Sequence, residues 1–170
     1  MKNTLLVAWT IIVFVSSFAF GQQTVKEPST EKSFPAQVTI KNAEKQYTLA
    51  VTGLAVRKKM FFKVYGIAHY MEQVEKANSN DDACKTVLID GKAKQITMDF
   101  ARDVDAGKIK DAYLDGFKSH ASTDELQKIK PLVDQFVGYF SKDLKENDQI
   151  ILRWLPGGSV TAIKIGRAHV

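Results

Sequence analysis

The hydrophobic period of this chain switches between two and the 3.6 of a helix, and the order of those switches constrains the fold more than any other feature. Val38 and Ile40 alternate with polar neighbours, and Asn42 to Lys45 reads as a turn. Tyr47, Leu49 and Val51, then Leu54 and Val56, continue the period of two, with Gly53 marking a β-bulge. A third strand is expected from Met60 to Met71. It is apolar on both parities in places, as a central strand covered on both sides would be. Asn80-Asp81-Asp82 supplies an N-cap and first-turn acids for a short helix over 83–88, and Asp90-Gly91 reads as a turn. Ile96, Met98 and Phe100 then alternate against Gln95, Thr97 and Asp99 in a strand over 94–101.

The period lengthens after that. Ile109, Ala112, Tyr113, Gly116 and Phe117 fall on one face of an amphipathic helix, capped by Asp103 or Asp105. Ser122 and Glu125 form a capping-box pattern ahead of a face made by Leu126, Ile129, Val133, Phe136, Val137 and Phe140. Pro131 inside that stretch predicts a kink or a division into two helices. Ile150 to Leu155, the Pro156-Gly157-Gly158 turn and Ser159 to Ile163 read as a closing hairpin. The order is strands, helix, strand, two helices, hairpin. It predicts an α+β domain with a mostly antiparallel sheet and helices packed on one face. The length of 170 residues fits one such domain.

The two ends are read separately. Lys2 precedes an apolar run, LLVAWTIIVFVSSFAF, and Ala19 and Gly21 sit where a signal peptidase requires small residues. The run is about 16 residues, short of the roughly 20 that a bilayer needs, and no basic flank follows it. A cleaved signal peptide over 1–21 is therefore expected, with export to the periplasm or medium and no membrane span afterwards. Residues 22–33 are polar, contain Pro28 and read as a flexible leader. At the other end, the last six residues, IGRAHV, are what ATC GGA AGA GCA CAC GTC encodes. That is a widely used sequencing adapter whose next codon is a stop, and Lys164 fits the preceding phase. Residues 165–170 are accordingly expected to be read-through, and 164–170 is set outside a domain that ends at Ile163 and whose natural chain continues differently.

Charge and cysteine content exclude more than they assign. The formal charge of +5 falls by one with Lys2 and by one with Arg167, to +3. The longest basic run is Arg57-Lys58-Lys59, and no nucleic-acid motif accompanies it, so nucleic-acid binding is not expected. Cys84 is alone, which rules out an intramolecular disulfide, and a buried inert thiol is the expected state. His69 and His120 lack ligand-like neighbours at short spacing, so neither a metal nor a cofactor is predicted, and the chain is read as a monomer.

The residues best suited to chemistry lie in Gly53 to Glu72. Arg57 stays charged and presents a planar fork that matches a carboxylate. It either alternates with Val56 and faces water, or faces the interior and needs an anion, because an unpaired buried charge is costly. Tyr65 and Tyr70 have opposite strand parity and should face opposite sides. Buried, each would seek a hydrogen-bond partner. Gly66, Ala68 and Ala50 leave room for a ligand or for a close-packed helix. Arg102 and Asp103 are expected in ion pairs or caps. Tyr113 and Phe117 would line any space between helix and sheet, or simply pack. No Ser-His-Asp arrangement, phosphate loop or paired metal carboxylates are present.

The pattern resembles the bacterial chalcone isomerase-like family. The residues that carry the resemblance are GLAVRKK from Gly53 to Lys59, Phe62-Lys63-Val64-Tyr65, His69-Tyr70, Arg102-Asp103-Val104, Lys108-Ile109, Ala112-Tyr113 and Leu155-Pro156-Gly157-Gly158. The resemblance runs from about Phe34 to Ile163. It implies an open-faced β-sandwich over 34–163. It also implies that Arg57 faces a cleft and holds an oxygen-rich group. Relatives divide into plant isomerases that close a flavanone ring and plastid proteins that bind fatty acids. Tyr65 falls near a catalytic Thr of the isomerases. Their helical Tyr and Asn have no clear counterpart between Gly107 and Gly116, where Tyr113 is out of register. Family members also continue past the last strand into a helix and tail.

The reading reached is a non-catalytic binder of a small amphipathic carboxylate such as a fatty acid. Arg57 would pair with the carboxylate, Tyr65 would donate a hydrogen bond, and Phe62, Tyr113 and Phe117 would line the tail pocket. The rivals are an isomerase or intramolecular lyase acting on a phenolic substrate, and an envelope protein-interaction module whose cleft is filled by side chains.

Overall fold

The computed structural model describes residues 23–43, 45–72 and 78–166. The expected signal segment and residues 167–170 lie outside them. Six antiparallel strands form one sheet: β3 (Gln37–Lys41), β4 (Gln46–Lys59), β5 (Phe62–Met71), β6 (Lys94–Phe100), β7 (Gln149–Leu155) and β8 (Ser159–Ile165). They lie in sequence order, β3-β4-β5-β6-β7-β8. A small hairpin, β1 (Thr24–Lys26) with β2 (Ser33–Pro35), stands apart from this sheet. The helices are α1 (Asn80–Leu88), α2 (Ala106–His120) and α3 (Thr123–Gly138). The expected α+β class, antiparallel sheet and helix-covered face are what the chain adopts.

Local chemistry sets the element ends. Asn42 Oδ1 accepts from Lys45 N at 2.7 Å and closes the β3–β4 turn. The Asp105 carboxylate accepts from Gly107 N and Lys108 N to start α2. Ser122 and Glu125 form both halves of the capping box on α3. Ser79 caps α1, one residue ahead of the expected Asn80, and Asp81 and Asp82 fall in the first turn as expected. Gly157 and Gly158 take φ of 94° and 82° in the β7–β8 turn, the left-handed region that Gly enters most readily. The bulge expected at Gly53 falls between Val51 and Gly53, which leaves Thr52 as the extra residue, and a second shift follows Arg57.

Several expectations are corrected. Pro131 does not divide α3, which runs unbroken from Thr123 to Gly138. The ring is exposed, and the turn beyond it is anchored by buried Val133 and Phe140. The missing Pro N–H interrupts one rung while packing holds both halves together. Met60 and Phe61 are not strand; they form the β4–β5 turn. Cys84 is exposed, because α1 buries none of its residues. Strand β8 continues through Ile165, two residues past the expected boundary, with Lys164 opposite Ile150 and Ile165 opposite Gln149.

The largest correction concerns residues 22–33. Most of this segment is the β1–β2 hairpin, laid across the sheet face opposite α2 and α3. Phe34 is fully buried there against Leu49, Ala68 and Tyr70. Glu27 sits in the intervening turn and accepts from Ser29 N at 2.9 Å and Thr30 N at 2.6 Å. Gly66 is what lets the hairpin approach. A Cβ on Gly66 would stand 2.7 Å from Thr30 Oγ1 and 3.5 Å from the Phe34 ring. The small residues of β5 therefore admit neither ligand nor helix, but this hairpin.

The same face explains a surprise in β6. Gln95, Thr97 and Asp99 read as a solvent face, yet they are 2%, 5% and 8% exposed. Their polar atoms are mostly matched. Arg153 Nε donates to Gln95 Oε1 at 2.7 Å, Gln95 Nε2 to Thr97 Oγ1 at 3.0 Å, and Gln149 Nε2 to Asp99 Oδ2 at 2.7 Å. Lys32, carried in by the hairpin, places Nζ 2.7 Å from Asp99 Oδ1 and 2.6 Å from Asn147 Oδ1. The Lys32–Asp99 contact is ionic and lacks the alignment of a hydrogen bond. The Tyr70 hydroxyl is buried beside this ladder with no partner among the described residues, and burial pushes its pKa up to about 12.

If the hairpin is part of the core, Phe34→Ala should lower unfolding free energy by about 3–5 kcal/mol, the usual cost of deleting a buried ring. Urea denaturation followed by circular dichroism measures this. A loss under about 1 kcal/mol, the scale of an exposed change, would show the hairpin to be dispensable.

A candidate ligand site on the helix-covered face

The sheet face beneath α2 and α3 is built from Tyr65 and Ile67 of β5, Ile96, Met98 and Phe100 of β6, Ile150, Leu152 and Trp154 of β7, and Ala162 of β8. Antiparallel register puts Arg57 of β4 directly opposite Tyr65, so both project to this face. Arg57 itself is exposed and stands at the open margin of the layer. The parity argument for Tyr65 and Tyr70 holds: Tyr65 joins the helix-side cluster and Tyr70 the hairpin-side cluster.

Aromatic side chains fill the layer behind Arg57. The Tyr65 and Phe100 rings are 5.0 Å apart. Tyr113 stacks on Phe140 at 4.9 Å and meets Phe136 edge-on at 5.0 Å. Phe117 contacts Phe136 at 6.1 Å. Such pairs are favourable beyond their buried area, at about 0.5–1.5 kcal/mol each. Phe136 and Phe140 are legible in the sequence as one apolar face, although Phe140 lies just past the end of α3, and their partnership with Tyr113 requires α2 and α3 to pack together.

Phe62 stands apart from this cluster. Its ring is 58% exposed and lies beneath the Arg102 guanidinium, 4.5 Å from its centroid. Arg102, expected in an ion pair, instead makes this cation–π contact. Asp103 is not the cap of α2, which is Asp105; it ties down the loop before β7, accepting from Glu146 N at 2.9 Å and pairing with Lys145 Nζ at 3.0 Å.

The electrostatics of the face centre on three donors. Burial raises the pKa of Tyr65, and the nearby Arg57 charge partly opposes that rise. Burial raises Tyr113 more strongly, and Tyr65 adds to it, so the two phenols sense each other. Neither hydroxyl has a hydrogen-bond partner among the described residues, and the ion pairs there do not include Arg57. One guanidinium and two phenols thus carry donors without protein partners, with Tyr65 electrostatically coupled to Arg57 on one side and to Tyr113 on the other. No group of three or more His, Cys, Asp or Glu among the described residues is placed to hold a metal.

Two surface clefts flank the layer. One, of about 420 Å³, is lined by charged residues whose cations and acids pair with each other, as in Lys145–Asp103 at 3.0 Å and Lys164–Asp148 at 3.4 Å. The other, of about 330 Å³, is bounded by Phe140, Leu144, Ile150, Ala162 and Ile163, and adjoins the aromatic layer through Phe140. The second also carries Ser141, Lys142 and Lys164 on its rim, and its apolar residues are the side on which a hydrocarbon tail would lie.

Residues 29–169 match the family model described as chalcone isomerase-like. The chain belongs to the chalcone isomerase-like family. The fold agrees: a crystal structure of a fatty-acid binding protein from Arabidopsis thaliana superposes with a TM-score of 0.66. It is 17% identical, and the match covers 85% of this chain and 79% of that one. Among curated proteins, none matches the sequence.

The phenols make a testable statement about pH. Their folded pKa values lie above the unfolded value of about 10, so the unfolded chain loses protons first as pH rises. Stability from Tyr65, Tyr70 and Tyr113 is whole below about pH 10 and declines as pH climbs through the folded values. Arg57→Gln should move the Tyr65 midpoint further up, because it removes the charge that favours the phenolate. NMR titration of ring-labelled tyrosine reads this directly. An unchanged Tyr65 midpoint would mean that the two groups do not interact.

Proposed function

We infer that this protein is a non-enzymatic carrier of a small amphipathic carboxylate, with a fatty acid as the type ligand. The observation that carries this reading is the set of unused donors at Arg57, Tyr65 and Tyr113 in front of an aromatic layer. A carboxylate satisfies a guanidinium fork and still has lone pairs for a phenol O–H. The fatty-acid binding function of the similarly folded Arabidopsis protein supports the same ligand class.

In this proposal Arg57 holds the head at the open margin and Tyr65 donates to it. The tail runs over Tyr113 and Phe140 toward the cleft bounded by Leu144 and Ala162. From β4 to β8 is four strand spacings, roughly 19 Å, a span on the scale of a long acyl chain. Tyr113 and Phe117 act as the bed of the tail, and Phe62 as a residue of the mouth. The aromatic side chains must part to admit the chain. Export of the protein, and its action as a monomer, belong to the same proposal.

Two substitutions test it. Arg57→Ala should weaken fatty-acid binding about 10- to 100-fold, the loss expected for a charge-assisted contact of about 1.5–3 kcal/mol. Ala162→Phe should weaken long-chain acids more than short ones by filling the far cleft. Titration calorimetry, with native mass spectrometry of the purified protein for co-purified lipid, provides the readout. Unchanged affinity in Arg57→Ala, together with no bound lipid, would reject the carrier reading and leave the filled-cleft interaction module in its place. Chalcone cyclisation above the spontaneous rate would favour an isomerase.

A further inference from the structure

The most exposed apolar group among the described residues is at the β4–β5 turn. Phe61 is 92% exposed, Met60 80% and Phe62 58%. These three consecutive side chains form the tip of the longest strand pair in the sheet. Turn chemistry does not call for them. Met60 sits at φ 54°, where a two-residue hairpin ordinarily places Gly, Asn or Asp. A large apolar side chain kept in a left-handed conformation and in water costs stability twice, which points to a contact made outside the chain.

The charge around the tip identifies the contact. Arg57, Lys58 and Lys59 precede it, Lys63 follows it, and Arg102 lies over Phe62. None of these five cations is in an ion pair among the described residues, although Lys63 Nζ donates to Ser29 O of the β1–β2 turn. No Asp or Glu occurs between Lys45 and Met71. An apolar point flanked by cations without acidic partners matches an anionic bilayer surface: the rings enter the acyl boundary and the cations stay with the head groups. A protein groove would also accept the rings, but nothing in it would require a cationic ring free of acids. Three residues at a turn are far short of the roughly 20 that a helix needs to cross a bilayer, so the contact is a docking rather than a span.

We propose that the Met60–Phe62 tip docks the protein on membranes rich in anionic lipid. The proposal rests on the tip alone and holds whether or not the Arg57 site carries a fatty acid. If both hold, docking brings the mouth of the site to the lipid from which its ligand would come.

Residues 1–22 contain an apolar run of their own, so the readout is placed at the tip. In the full chain, Phe61→Trp adds an indole to those of Trp9 and Trp154, and the unsubstituted chain supplies the background. Vesicles of phosphatidylcholine, with and without one part in about three of phosphatidylglycerol, carry brominated acyl chains as quenchers; that anionic fraction is set to give the negative surface potential that draws basic segments. Emission from the introduced indole should shift to the blue and be quenched on the anionic vesicles only. Lys58→Gln with Lys59→Gln in the same chain should weaken that partitioning about tenfold or more, as expected for two cations at an anionic leaflet. An indole that stays red-shifted and unquenched on both vesicles overturns the proposal and leaves a protein partner for the tip. Equal quenching on neutral vesicles, or no effect of the paired lysine substitutions, overturns its electrostatic part and with it the anionic-membrane assignment.

Discussion

The missing side chain at Gly66 is the constraint on which the arrangement of this sheet depends. Strand β5 is central and must be covered on both faces. Tyr65 and Ile67 meet the helices on one side. On the other, the absent Cβ leaves the space that Thr30 Oγ1 occupies, while Lys32 and Phe34 pack beside it at ordinary contact distance. That close approach seals Phe34 into the core and brings Lys32 to Asp99. With that face closed, Arg57 and its phenolic neighbours occupy the side on which β4 and β5 meet the helical layer.

The two faces solve opposite problems. The hairpin side buries polar groups and pairs nearly all of them, in a ladder from Arg153 through Gln95 to Thr97 and from Lys32 through Asp99 to Gln149. Unmatched buried polar atoms are expensive, so such a ladder favours one register of the sheet over its neighbours. The helix side is aromatic and apolar, and its polar atoms at Tyr65, Tyr113 and Arg57 have no protein partners among the described residues. One face commits its hydrogen bonds to structure. The other keeps donors in reserve, and there the carrier reading places its ligand.

Periodicity makes the main strands and helices legible because each buries one face against another layer. It is weaker where that condition fails. Gln95, Thr97 and Asp99 alternate as a solvent face should, yet they are covered, because a polar residue does not reveal whether water or a partner satisfies it. Residues 22–33 read as a leader because a short hairpin with one anchor, Phe34, has too few apolar positions to show a period. Pro131 reads as a break because its local effect is certain, whereas the packing of Val133 and Phe140 that outweighs it is not local. Arg102 invites an acidic partner, and nothing in sequence places the Phe62 ring beneath it.

Two things follow from the sequence by itself: the class of fold, through the order of its hydrophobic periods, and the family, through the spacing of motifs around Arg57, Arg102 and Pro156. Strand parity also separates Tyr65 from Tyr70, since alternation is a property of the backbone alone. Tertiary structure decided the rest. It set which face each tyrosine meets, that Arg57 lies opposite Tyr65 at an open margin, that Tyr113 completes the donor set, and that Met60 and Phe61 stand in water. These depend on register, on bulges and on the packing of α2 against α3, all of which arise from contacts between residues far apart in the chain.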